Sequence, residues 1–397
     1  MPFDFDHAPD RRGTNSAKWT YYPQDVLPLW VADMDFPAPR PIIDALHAAV
    51  EHGVFGYELA GQALAESAAA RMQKLYGWQL DPDSVVATPG LVSAFYAAGA
   101  ALVRPGEGYL IQPPVYMPFN DLQRNLGLVR QEAALARLVG EGERHVRYEI
   151  DWDAFQRAIN SGGSRTRMFL LCNPHNPTGQ IYTPDELARM AELCLKNETV
   201  IVSDEIHSEL LLGDKAHTPI ASLSPEIGAH SITLVAPSKT FNIAGLFCGF
   251  AIIPDAGLRQ QYRQQLERMT LHVNSLGQIA SLAAFSGACD DWLEELKSYL
   301  TANRDFAVEY IEREIPGLGT SLPEATYLLW LDCGKLVEEG RIKGSPYNFF
   351  LKEAKVASND GATFGSGGAN FVRLNFACPR SVLEEGLERM KRALYPK

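Results

Sequence analysis

Five short apolar runs, each stopped abruptly, constrain this chain more than any other feature. They are Val85 to Ala87 before Thr88-Pro89-Gly90, Tyr109 to Ile111 before Gln112-Pro113-Pro114, Met168 to Cys172 before Asn173-Pro174, Thr199 to Ser203 before Asp204, and Ile232 to Ala236 before Pro237. Uncharged runs of this length read as strands buried in a parallel sheet, and proline cannot continue the ladder. Before, between and after them the apolar spacing is helical, over Pro41 to Val50, Leu91 to Val103, Asp151 to Ile159 and Asp255 to Met269. Thr183-Pro184-Asp185-Glu186 predicts a capped helix start, with Leu187, Met190, Ala191, Cys194 and Leu195 as its buried stripe. Leu126 to Leu135 and Phe247 to Pro254 read as further strands.

The chain changes character towards its end. A long amphipathic helix, Trp292 to Glu314, precedes strands at Thr326 to Leu331 and Phe371 to Phe376, and a helix starts at Ser381. The prediction is an α/β protein: a large domain (46–275) with a mostly parallel sheet flanked by helices, and a smaller α+β domain (276–397). Residues 1–45, rich in proline and aromatic groups, read as an arm laid over a surface and joining the small domain. Within the arm, Leu29 to Phe36 sets Asp33 and Asp35 among apolar residues, either as solvated carboxylates or with a buried partner.

Composition narrows the function. With 36 Lys+Arg against 48 Asp+Glu, the net charge of −12 disfavours nucleic acid or an anionic membrane as partner. No run reaches the length of a membrane span, and the N-terminus lacks a signal-peptide layout, so a cytoplasmic protein is expected. The six cysteines never form a CxxC pair, which favours buried thiols over disulfides, and no metal site is expected.

Polar residues gather where the apolar runs end. Gly90, Asn176, Asp204 and Lys239 follow four runs, and Tyr116 follows the fifth at the sheet's edge. Open α/β sheets bind ligands beyond their strands' carboxyl ends. Gly90 opening the helix from Leu91 makes an anion site, because the first amides are unpaired. Lys239 in APSKTFN either snorkels to water or, if desolvated, becomes a nucleophile or base. Taken together, a lysine, an acid, an amide, an aromatic ring and an anion site suit pyridoxal 5'-phosphate, whose carbonyl is carried by a lysine and whose pyridine nitrogen pairs with an acid.

WVADMDFPAP, FGYELAG, PPVYMPF, CNPHNPTG, VSDEIH, APSKTFNIAGL and VRLNFACPR follow one another along almost the whole chain. In these motifs the sequence resembles the fold-type I, class I/II aminotransferase superfamily, and within it the MalY/PatB type of carbon–sulfur lyase. The resemblance implies that Lys239 holds pyridoxal 5'-phosphate and moves the α proton. Asp204 would pair with the ring nitrogen, Asn176 and His207 would support the ring oxygen, and Tyr116 would stack on the ring. The phosphate would meet Gly90, the Leu91 and Val92 amides and Ser238. Tyr57 would reach the phosphate of a second copy in a homodimer whose sites lie at the interface, and would join Tyr116 and Lys239 as a candidate acid. Arg373 would grip the substrate's α-carboxylate, with Ala32 and Asp33 also at the substrate. Two departures from class I aminotransferases, Phe247 where a phosphate-binding arginine is usual and Ala236 where a serine is usual, favour the lyase. The implied reaction is β-elimination from L-cystathionine or a related cysteine thioether, releasing a thiol, pyruvate and ammonia; the alternative is an aminotransferase.

Overall fold

A computed structural model describes residues 3–138, 145–160 and 164–396. Seven strands form the large sheet: β1 (Val85–Thr88), β2 (Gly108–Ile111), β3 (Val129–Glu132), β4 (Thr166–Cys172), β5 (Val200–Asp204), β6 (Ser231–Val235) and β7 (Gly249–Ile252). Their spatial order is β1-β7-β6-β5-β4-β2-β3, and only β7 runs antiparallel to its neighbours. A second, antiparallel sheet orders β8 (Gly319–Thr320), β9 (Leu328–Asp332), β11 (Phe371–Asn375) and β10 (Asn359–Asp360). The longer helices include α1 (Arg40–His52), α2 (Leu91–Leu102), α3 (Pro184–Lys196), α4 (Asp290–Glu314) and α5 (Arg380–Leu394). No helix among the described residues is long and apolar enough to cross a membrane.

Local chemistry explains where these elements start and stop. Thr183 and Glu186 close a complete capping box on α3, satisfying two amides that the helix cannot pair internally. Strands β4, β5 and β6 are buried along nearly their whole length, as strands covered on both faces must be. Their register sets Cys172 beside Asp204 and Asp204 beside Leu234, so the turns after β4, β5 and β6 open at one edge.

Three expectations need correcting. Leu126 to Leu135 does not form one strand: Leu122–Leu126 is helical, Gly127 takes a left-handed conformation (φ 67°), and β3 starts at Val129. The strand expected from Thr326 starts at Leu328, because Thr326 sits at φ 73° and breaks the extended run. The N-terminal arm is also more than a surface cover. Leu29, Met34 and Phe36 are buried, and Phe5, Phe36 and Trp292 meet as edge-to-face rings. The arm's Leu27–Pro28 pairs in parallel with Val356–Ala357. Periodicity misses this, since the arm's apolar residues, broken up by prolines and acids, follow no helical period.

Candidate functional site

A cavity of about 190 Å³ opens at the carboxyl ends of β4, β5 and β6, lined by Ala32, Gly90, Leu91, Val92, Tyr116, Asn176, Asp204, His207, Ser238 and Lys239. Pro89, Ser93, Cys172, Ile206, Ala244 and Phe247 complete the wall. Ten of the positions singled out in the sequence therefore meet in one place, carried there by loops that the buried strands hold in register.

One end of the cavity is built for an anion. Gly90, at φ 86°, turns the chain from β1 into α2, and no side chain caps the helix. The first amides of α2 are thus open to a ligand at the positive end of the helix dipole, beside the Ser93 and Ser238 side chains. Among the described residues, the charged side chains in the lining are those of Asp204 and Lys239. Phe247 stands at this end with φ 45° and most of its surface exposed, so no cation comes from that position.

The other end is built around buried charge. Desolvation pulls the Lys239 ammonium down to about 8, against the opposing pull of Asp33. Its Nζ donates to the Ala32 carbonyl at 2.7 Å, so the lysine does not run out to solvent. Burial pushes the Asp204 carboxyl up to about 7, while the Ile206 amide, donating at 3.2 Å, acts in the opposite sense. His207 is driven down to about 3 by burial, and its Nδ1 has no partner. Burial pushes the Tyr116 phenol up to about 12, so near neutrality it carries its proton.

Arg373 lies behind this wall. It reaches from β11 to the Asn176 Oδ1 at 3.0 Å, the Asn359 Oδ1 at 2.6 Å and the Trp30 carbonyl at 3.2 Å. All three partners are neutral, Nε has none, and burial pulls the guanidinium down to about 10. A buried cation held by neutral acceptors lacks its counter-charge, which a ligand carboxylate can supply.

Two predicted residues lie elsewhere. Tyr57 is fully exposed, on a loop with Val54, Phe55 and Leu59, which are also exposed. Asp33 does not line the cavity; its Oδ2 accepts from Arg11 at 2.8 Å. Asp35 is buried with real partners, Lys18 at 2.9 Å, Trp19 at 2.9 Å and Arg11 at 3.2 Å, so a solvated carboxylate is excluded there. These contacts, together with Asn242 and Asn375 on the arm's backbone, hold residues 31–36 against the cavity. Asn242 and Asn375 belong to the quoted motifs PSKTFN and VRLNF, whereas Tyr327 and Asn359 carried no sequence signal. Among the described residues no cluster of three or more His, Cys, Asp or Glu could hold a metal ion.

Residues 24–390 match the family model for aminotransferase class I and II. The chain belongs to the class I and II aminotransferase family. Within it, the chain is 38% identical to the cystathionine beta-lyase PatB of Bacillus subtilis, over 98% of this chain and 100% of that one. Cystalysin from Treponema denticola, a structure containing pyridoxal 5'-phosphate, superposes with a TM-score of 0.91 at 29% identity, covering 99% of both chains. A pyridoxal-phosphate-bound C–S lyase from Staphylococcus hominis gives a TM-score of 0.91 at 28% identity and full coverage of both.

Proposed function

We infer that the protein is a pyridoxal 5'-phosphate-dependent carbon–sulfur lyase that performs β-elimination on L-cystathionine or a related L-cysteine thioether. The observation that carries this reading is the meeting, at one cavity, of a desolvated amine (Lys239), a buried acid (Asp204) and an uncapped helix start (Leu91), with the uncompensated Arg373 behind them. The residues fit the cofactor's groups: α2's amides and Ser238 for the phosphate, Asp204 for the ring nitrogen, Asn176 and His207 for the ring oxygen, Tyr116 for the ring face, Lys239 for the carbonyl. Bound there, the cofactor supplies a conjugated ring that takes up the electron pair left when the α proton departs. Lys239 accepts that proton, Arg373 orients the α-carboxylate, and Tyr116, still protonated near neutrality, can donate to the leaving sulfur.

Relatives named as lyases, and Phe247 in place of an arginine, favour elimination over amino-group transfer. Assaying pyruvate from L-cystathionine tests the reading; exchange of amino groups between amino and keto acids, without pyruvate, would instead identify an aminotransferase. We also propose a homodimer in which the exposed loop bearing Val54, Phe55, Tyr57 and Leu59 is covered by a second copy. Sedimentation of the wild type as a dimer, weakened in a Phe55→Asp variant, checks it.

A further inference from the structure

Two donors converge on one backbone carbonyl in this site. The Ala32 oxygen accepts from Lys239 Nζ at 2.7 Å and from the Tyr327 hydroxyl at 3.0 Å. A carbonyl has two lone pairs, and both are taken. We propose that Tyr327 is a positioning residue: through the shared Ala32 carbonyl it sets where the Lys239 amine stands when it takes the substrate's α proton. This rests on the proposed cofactor chemistry, in which the C–H bond breaks, the N–H bond forms and the electron pair passes into the cofactor's ring.

The surroundings support a specific role rather than chance packing. Tyr327 has no exposed surface, and its ring meets His207 edge-on at 5.9 Å and 83°. The residue before it, Thr326, is β-branched yet held at φ 73°, a strained conformation that persists only where the surroundings enforce it. The Thr326 amide donates to the Leu210 carbonyl at 2.9 Å and the Phe376 amide to the Tyr327 carbonyl at 3.0 Å, so the backbone is fixed on both sides of the strained residue. On the other side of the shared carbonyl, Asn375 Nδ2 donates to the Val31 and Asp33 carbonyls at 2.6 Å each. The carbonyl is therefore aimed, and the lysine follows it.

Tyr327 also limits how well that oxygen can hold a proton on the amine, because two donors on one acceptor compete. The charged groups facing Lys239 are Asp33 and Asp204, which favour its ammonium, and Arg373, which opposes it. A Tyr327→Phe variant leaves all three in place and removes only the competing hydroxyl.

The test uses two readouts. In cofactor-free protein, labelling of Lys239 by an amine-directed reagent is followed by mass spectrometry against pH. Tyr327→Phe is expected to move the midpoint up by about half a pH unit. In holoenzyme, exchange of the α hydrogen of L-alanine in D2O is followed by NMR; it needs no leaving group, so it reads proton transfer whether or not cystathionine is cleaved. Exchange is expected to fall about tenfold at unchanged cofactor content. Should the variant not fold, 3-fluorotyrosine at position 327, a stronger donor, is expected to move the midpoint down instead. An unmoved midpoint, or exchange at the wild-type rate, overturns the proposal. Failure of wild-type holoenzyme to release pyruvate while exchange still depends on Tyr327 overturns only the lyase reading.

Discussion

At the scale of single residues, the site depends on charges kept dry. Lys239→Ala should abolish both the visible absorbance of bound cofactor and pyruvate release, as spectra and assay of the purified variant will show; surviving activity would exclude the cofactor assignment. Arg373→Lys should lower kcat/KM about a hundredfold, mainly through KM, because an ammonium cannot reproduce a planar two-point grip on a carboxylate. Steady-state kinetics measure it, and an unchanged KM would remove Arg373 from substrate binding. The Lys239 value also predicts a pH effect on stability. Its folded value, about 8, lies below the usual lysine range. Above pH 8 the folded state therefore binds fewer protons than the unfolded chain, and the group's contribution makes the protein more stable as pH rises towards about 10.4. Urea titrations of cofactor-free wild type and Lys239→Met should differ by this rise; parallel curves would contradict the desolvated amine.

At the scale of elements, the arm and the strand ends share the work. Asp35 and Lys18 are both buried and paired at 2.9 Å, so Asp35→Asn should leave the ammonium with weakened compensation and destabilise the fold by about 3 kcal/mol in urea melts. A loss below about 1 kcal/mol, the range of an exposed pair, would show that the cluster does not anchor the arm. The strand ends were legible in sequence because an apolar run and its stop leave a local mark, as in Met168 to Cys172 followed by Asn173-Pro174. The arm's burial was not legible, because Leu29, Met34 and Phe36 lie in a short proline-bounded stretch and have partners far away in sequence, such as Tyr299 against Phe36. Tyr327 escaped notice for a related reason: one residue before a buried strand, an aromatic side chain reads as core, and only the geometry reveals its hydroxyl on Ala32. The strand that carries Arg373 was legible as the run Phe371 to Phe376, but the arginine's role came only from the resemblance in VRLNFACPR.

At the scale of the whole molecule, the two sheets and the arm close around one cavity and leave few charges inside it. The large sheet brings Asp204 and Lys239, the small sheet brings Arg373 from behind, and the arm brings the Ala32 carbonyl that meets Lys239. Cofactor binding to the folded state alone should raise the midpoint of thermal unfolding in proportion to the logarithm of added pyridoxal 5'-phosphate. That shift should vanish in Asp204→Ala if the ring nitrogen's partner is what holds the ring. The central claim is elimination at this site. It is tested most directly by incubating holoenzyme with L-cystathionine, without any added keto acid, and measuring thiol, pyruvate and ammonia together. Equal amounts of all three are predicted; absence of pyruvate, or amino-group transfer appearing only once a keto acid is added, would contradict it.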